Sequence, residues 1–138
     1  MDKGNNAILS EDEVKRYVEL WLKKSKGYKI VDVKYGRKKG IDIHAYMKNS
    51  EKEWIIEAKG SGSDNKKYAQ NARYNNYFLG VLGELLQRMD KNNVKYSIAV
   101  PLHQKYERLW GELPQIAKKR LKFSIIFVDA EGRCKEVD

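Results

Sequence analysis

Cysteine, histidine and proline are scarce in this chain, and each shortage excludes something. One cysteine, Cys134, in 138 residues rules out an internal disulfide framework. Two histidines, His44 and His103, cannot build a dedicated zinc site with it at any usual spacing. The two prolines act as breaks, Pro101 closing a strand and Pro114 interrupting a helical stretch. No apolar run approaches the roughly 20 residues needed to span a bilayer. The opening "MDKGNNAILSEDE" lacks the apolar core of a secretory signal. A reduced, cytoplasmic protein with no membrane association is the expectation.

Basic residues, by contrast, are abundant. Twenty-eight Lys and Arg against 19 Asp and Glu give a formal net charge of +9, which favours a polyanionic partner such as nucleic acid. A chain this long most economically forms one domain with one site. Its core is expected over about residues 10–130, with the first nine residues and the last half dozen as loose ends.

"SEDEVKRYVELWLKKSKG" begins with Ser10 and Glu13 at capping-box spacing, and sets Val14, Tyr17, Val18 and Trp21 on one helical face before Gly27. "YKIVDVKYG", "IDIHAYM" and "EWIIEAK" read as three strands joined by the turns "GRKKG" and "KNSEK", an antiparallel meander. A polar loop, "GSGSDNKKYAQNARYNN", precedes a helix with Phe78, Val81, Leu82, Leu85, Leu86 and Met89 on one face. "VKYSIAVP" is a fourth strand, "HQKYERLWGELPQIAKKRLK" one or two helical pieces, and "FSIIFVDAEG" a fifth strand. The order αβββαβαβ, with a helical crossover after the third strand, predicts an α/β (α+β) domain: a mixed five-stranded sheet flanked by helices.

The polar residues inside two of these strands carry the chemistry. Residues two apart share a strand face, so Glu57 and Lys59 point one way while Trp54, Ile56 and Ala58 point the other. Asp42 lies on the neighbouring strand, near enough in a suitable register for the two carboxylates to converge on one divalent cation. Hard oxygen ligands, an acidified water and a nearby ammonium are the equipment of phosphodiester hydrolysis.

With "GIDIHA" followed by "WIIEAKG", and "SKGYKI" after an acid-bearing helix, the chain resembles the PD-(D/E)XK nuclease superfamily, with its restriction-endonuclease-like core, over about residues 10–101. The literal proline before the first acid is replaced here by Ile41. The resemblance implies an Mg²⁺- or Mn²⁺-dependent nuclease, with Asp42, Glu57 and the Ala58 carbonyl as metal ligands and Lys59 serving the attacking water. It also implies a catalytic acid on the first helix, Glu13 or else Glu11, although the capping box accounts for Glu13 without catalysis. The acid-x-Lys triplet by itself carries little, because Glu13-Val14-Lys15, Asp32-Val33-Lys34 and Asp64-Asn65-Lys66 repeat it. The strand context of Glu57 carries the inference.

Arg37, Lys38 and Lys39 in one turn, and Lys66, Lys67 and Arg73 in the later loop, abut these strands and are candidate phosphate contacts. Lysines of "AKKRLK" read as a solvated helix face, as do Glu84 and Arg88. His44 reads as a structural residue. DNA is the expected partner, with RNA an alternative. A non-catalytic nucleic-acid-binding module of the same fold, or a nuclease subunit active only as a homodimer or with a partner, would fit the same composition.

Overall fold

The computed structural model describes residues 6–47, 51–62 and 70–138. Helix α1 (Glu11–Lys24) is followed by strands β1 (Ile30–Val33), β2 (Ile43–Tyr46) and β3 (Glu53–Ala58). Helix α2 (Gln70–Arg88), strand β4 (Lys95–Pro101), helices α3 (Gln104–Glu112) and α4 (Gln115–Leu121), and strands β5 (Phe123–Val128) and β6 (Cys134–Val137) complete the chain. One mixed sheet results, with strand order following sequence order from β1 to β6. The β1–β2–β3 meander is antiparallel, β3, β4 and β5 run parallel, and β6 returns antiparallel on β5.

The α/β class and the mixed sheet agree with the sequence reading, but the sheet has six strands where five were expected. The last residues are not loose: β6 pairs Cys134 with Val128 and Val137 with Ile125. Nor are residues 6–9 loose. Ala7 donates its N–H to Leu102 O at 2.8 Å, and Ala7 and Leu9 are buried. A third difference concerns α2, which takes in residues 70–76, assigned from sequence to the polar loop with a helix start a turn or more earlier as the alternative. Tyr74 explains this, because it is buried and extends the stripe Tyr74, Phe78, Val81 and Leu85 one turn toward the N-terminus. Leu86, expected on that face, is about half exposed.

Two crossovers in succession, β3 to β4 through α2 and β4 to β5 through α3 and α4, advance the sheet in one direction. Right-handed connections then put α2 and α3 on the same face, where Tyr74, Phe78 and Tyr106 pack on Ile55, Ile98 and Ile125. Helix α1 covers the other face with Val14, Val18 and Leu22 against Ile43, Trp54, Ile56 and Ala99. Strand β3 is therefore buried on both faces, which accounts for its nearly continuous apolar sequence and makes the burial of Glu57 within it an expensive placement. Gly60 fixes the approach of α1: a Cβ there would lie 2.4 Å from Glu11 N and 2.7 Å from Leu9 O. Ser61 N to Leu9 O and Leu9 N to Ser61 Oγ close the same junction. The start of α1 is thereby locked beside the end of β3.

Candidate functional site

At that junction the two predicted acids meet. The register pairs Ile43 with Ile56, so Asp42 falls opposite Glu57. Their carboxylates cross: Asp42 N donates to Glu57 Oε2 at 2.9 Å, and Ala58 N donates to Asp42 Oδ2 at 2.9 Å. This exchange explains why β2 begins at Ile43 rather than at Ile41, because the Asp42 N–H goes to a side chain instead of a ladder carbonyl. Asp42 is 8% exposed and Glu57 0%.

From α2, Glu84 reaches toward the pair, and oxygen atoms of Asp42, Glu57 and Glu84 all lie within 4.8 Å of one another. Glu57 Oε1 is buried with no hydrogen-bond partner among the described residues. Arg88, one turn beyond Glu84, places Nε 3.6 Å from Glu57 Oε2 and donates through Nη2 to Gly40 O at 2.9 Å. From α1, Lys15 Nζ stands 3.6 Å from Asp42 Oδ1 and 3.1 Å from Glu11 Oε2, and donates to Lys34 O at 2.6 Å. Lys59 lies between Glu11 Oε1, at 3.7 Å, and the ring of Tyr77, 4.8 Å from its centroid. A cleft of about 580 Å³ opens over these groups, and Arg37, Lys38 and Lys39 line its rim.

Burial is the main influence on each acid, and it raises both carboxyls above their ordinary range. For Glu57 the Asp42 N–H and Arg88 oppose the rise, while the Asp42 charge and Glu84 add to it. For Asp42 the Ala58 N–H and Lys15 oppose it. Burial also works against the Lys15 ammonium, but Asp42, Glu11 and Asp12 together outweigh it and hold its pKa above the usual lysine value. Burial thus disfavours two adjacent charged carboxylates here, and a bound cation would favour them. Three hard oxygen donors, one with an orphaned lone pair, suit a small divalent cation.

The residues proposed from sequence separate into three groups. Asp42, Glu57, Ala58, Lys59, Arg37, Lys38 and Lys39 come together around the cleft. Glu13 does not: its carboxylate accepts from Ser10 N at 2.9 Å while Ser10 Oγ accepts from Glu13 N, so it is spent in the capping box, and Glu11 faces the cleft instead. Arg73 sits in the first turns of α2 over the Tyr74 ring and does not line the cleft, and Lys66 and Lys67 lie outside the described residues. His44 pairs with Glu53 and faces a separate depression, as its structural reading expected.

Lys15, Glu84 and Arg88 were missed as site residues. Their signals were weak but present. Lys15 lies next to the apolar stripe of α1 and four residues after Glu11, and Arg88 follows Glu84 by four, a spacing that puts both on one helix face.

No family model and no curated protein matches the chain. Solved structures do, two of them as follows. One is an XisH family protein from Nostoc punctiforme PCC 73102, with a TM-score of 0.51 at 16% identity over 92% of this chain and 100% of that one. The other is a FdxN element excision controlling factor protein from Anabaena variabilis, with a TM-score of 0.52 at 18% identity over 92% and 99%. At these identities the likeness establishes a shared fold. No helix among the described residues is long and apolar enough to cross a membrane.

Proposed function

We propose that this chain is a metal-dependent nuclease of the PD-(D/E)XK kind, hydrolysing phosphodiester bonds in DNA. One observation carries the reading: Asp42 and Glu57 are buried against each other with Glu84 beside them and one Glu57 oxygen unpartnered, a placement that costs stability unless a cation offsets it. Asp42 and Glu57, with Glu84 and the Ala58 carbonyl as further donors, would hold Mg²⁺ or Mn²⁺. When bound, such an ion supplies charge neutralisation on the phosphodiester and a lowered water pKa.

The chain's own residues do the rest. Lys59, steadied by Glu11 and the Tyr77 ring, holds the attacking water and stabilises the charge that grows as the water's proton leaves. Water oxygen bonds to phosphorus, the P–O bond to the leaving strand breaks, and that oxygen takes up a proton. Arg37, Lys38 and Lys39 on the rim hold the flanking phosphates. The excision-control role named for one structural neighbour is compatible with chemistry on DNA. A single cleft cuts one strand at a time, so cutting a duplex through requires two copies or two visits.

The test is a nicking assay on DNA with and without Mg²⁺ or Mn²⁺, using wild type, Glu57→Ala and Lys59→Ala. Turnover should fall by about a hundredfold or more in each variant while DNA affinity holds. Equal metal-dependent cleavage by all three proteins would refute the assignment. Salt-sensitive binding without cleavage by any of them would leave a non-catalytic binding module.

A further inference from the structure

At the end of the sheet away from the acids, where β4 and β5 begin, Lys95, Lys118, Lys119 and Lys122 surround a cavity of about 380 Å³ floored by Tyr96, Phe123 and Ser124. Glu136 balances Lys95 at 2.8 Å, and Asp138 stands on the rim. Lys118 is buried with its ammonium over the Trp110 ring, 4.3 Å from the centroid, so Lys119 and Lys122 supply the surplus of positive charge there. The helix dipole explains part of this, since cations in the last turn of α4, Lys118, Lys119 and Arg120, are favoured at a helix C-terminus.

The dipole does not explain Lys122. It caps α4 in the left-handed region at φ 53°, ψ 53°, and is the one non-glycine residue with positive φ among the described residues. Glycine is the usual residue there, and a side-chain-bearing residue costs about 1 kcal/mol in that conformation. A conformation that favours glycine is occupied by a lysine that lines the cavity.

We propose that this lysine cluster is a second phosphate-binding surface, taking the sugar–phosphate backbone of the nucleic acid whose phosphodiesters the acid cleft engages. It rests on the nucleic-acid reading above and adds a grip outside the cleft. Trp54 pairs with Lys95 and Ala58 with Ala99, so the two levels differ by four residues of strand, roughly 13 Å, within the span of one short bound oligonucleotide. Ile116 and Leu121 are exposed on α4, which makes an anionic lipid surface the competing partner. A helix of seven residues is too short to anchor well at a bilayer, and the chemistry of the cleft favours the nucleic acid.

The experiment measures binding of a labelled DNA duplex by fluorescence anisotropy across a salt series, with divalent ions chelated. It compares the full-length wild type, Lys122→Gly, the double variant Lys119→Ala/Lys122→Gly, and Lys24→Ala as a control on exposed α1 charge. Lys122→Gly should melt no lower than wild type while binding DNA more weakly. The slope of log affinity against log salt should become shallower by about 0.9 for each cluster lysine removed. A merely structural lysine would not combine unchanged or raised stability with weakened binding. The proposal is overturned if the double variant matches wild type or Lys24→Ala in affinity and slope. It is equally overturned if these substitutions abolish binding to phosphatidylserine vesicles and leave DNA binding intact. Because metal is chelated, failure of metal-dependent cleavage, which would refute the nuclease reading, cannot produce either result.

Discussion

Replacing Glu57 by glutamine should make the metal-free protein more stable, although Glu57 is fully buried and hydrogen-bonded. Glutamine keeps the carbonyl oxygen that accepts from Asp42 N, and its amide can donate to the neighbouring carboxylates. In the wild type, Asp42 and Glu84 oxygens within 4.8 Å would each repel an ionised Glu57 by about 3.5 kcal/mol at an effective dielectric of 20, while Arg88 at 3.6 Å attracts it by about 4.6 kcal/mol. The net repulsion is relieved by protonation, in line with a Glu57 pKa pushed up to about 8. What remains is the cost of a buried, unpartnered carboxyl oxygen, about 1–3 kcal/mol, which the substitution removes. With an unfolding entropy of about 2.1 cal/mol/K per residue over 138 residues, a gain of about 1.5 kcal/mol raises Tm by about 5 °C. Differential scanning fluorimetry in EDTA reads this directly. Added Mg²⁺ or Mn²⁺ at ten times its Kd should stabilise the wild type by about 1.4 kcal/mol and the variant little, closing the gap. A variant less stable than wild type in EDTA, with the same response to metal, would refute the reasoning.

Gly60→Ala should destabilise the fold by about 1–3 kcal/mol, measured by urea unfolding, because its methyl group would press on the backbone of Leu9, Ser10 and Glu11 and not on a movable side chain. Glu11→Gln should lower cleavage by less than Lys59→Ala does, whereas Glu13→Gln, which preserves the capping box, should leave turnover unchanged in the same assay. His103 has its pKa lowered by burial and by Lys105, and its Nδ1 accepts the Lys105 N–H at the start of α3. Protonation is therefore disfavoured in the folded state: the contribution is complete above the unfolded value of about 6.5 and is lost as pH falls through the folded one. His103→Asn, which can still cap α3, should show a smaller drop in Tm than wild type between neutral and mildly acidic pH.

How far the sequence foretold the structure depends on whether a residue's role is local. The meander and the crossover helix follow from strand alternation and turn chemistry, and both are found; the meeting of Asp42 with Glu57 depended on the register, which the structure supplies. Strand β6 escaped notice because "CKEV" has little periodicity of its own and is recruited by pairing with the buried β5. Lys15, Glu84 and Arg88 carry only a weak local mark, their spacing on a helix face, which solvated helix residues share. They become part of the site only because Gly60 admits α1 closely and because α2 crosses over β3. Glu11 and Glu13, two residues apart, point differently around α1, and the cap geometry decides which one the cleft receives.

The central claim is that Asp42 and Glu57 share one divalent cation. A crystal soaked in Mn²⁺ and measured for anomalous scattering tests it most directly. The account predicts one strong peak bridging the Asp42 and Glu57 carboxylates, with Glu84 near it and Glu57 Oε1 engaged. A map with no peak there at saturating Mn²⁺, with Arg88 still lying against Glu57, would contradict it.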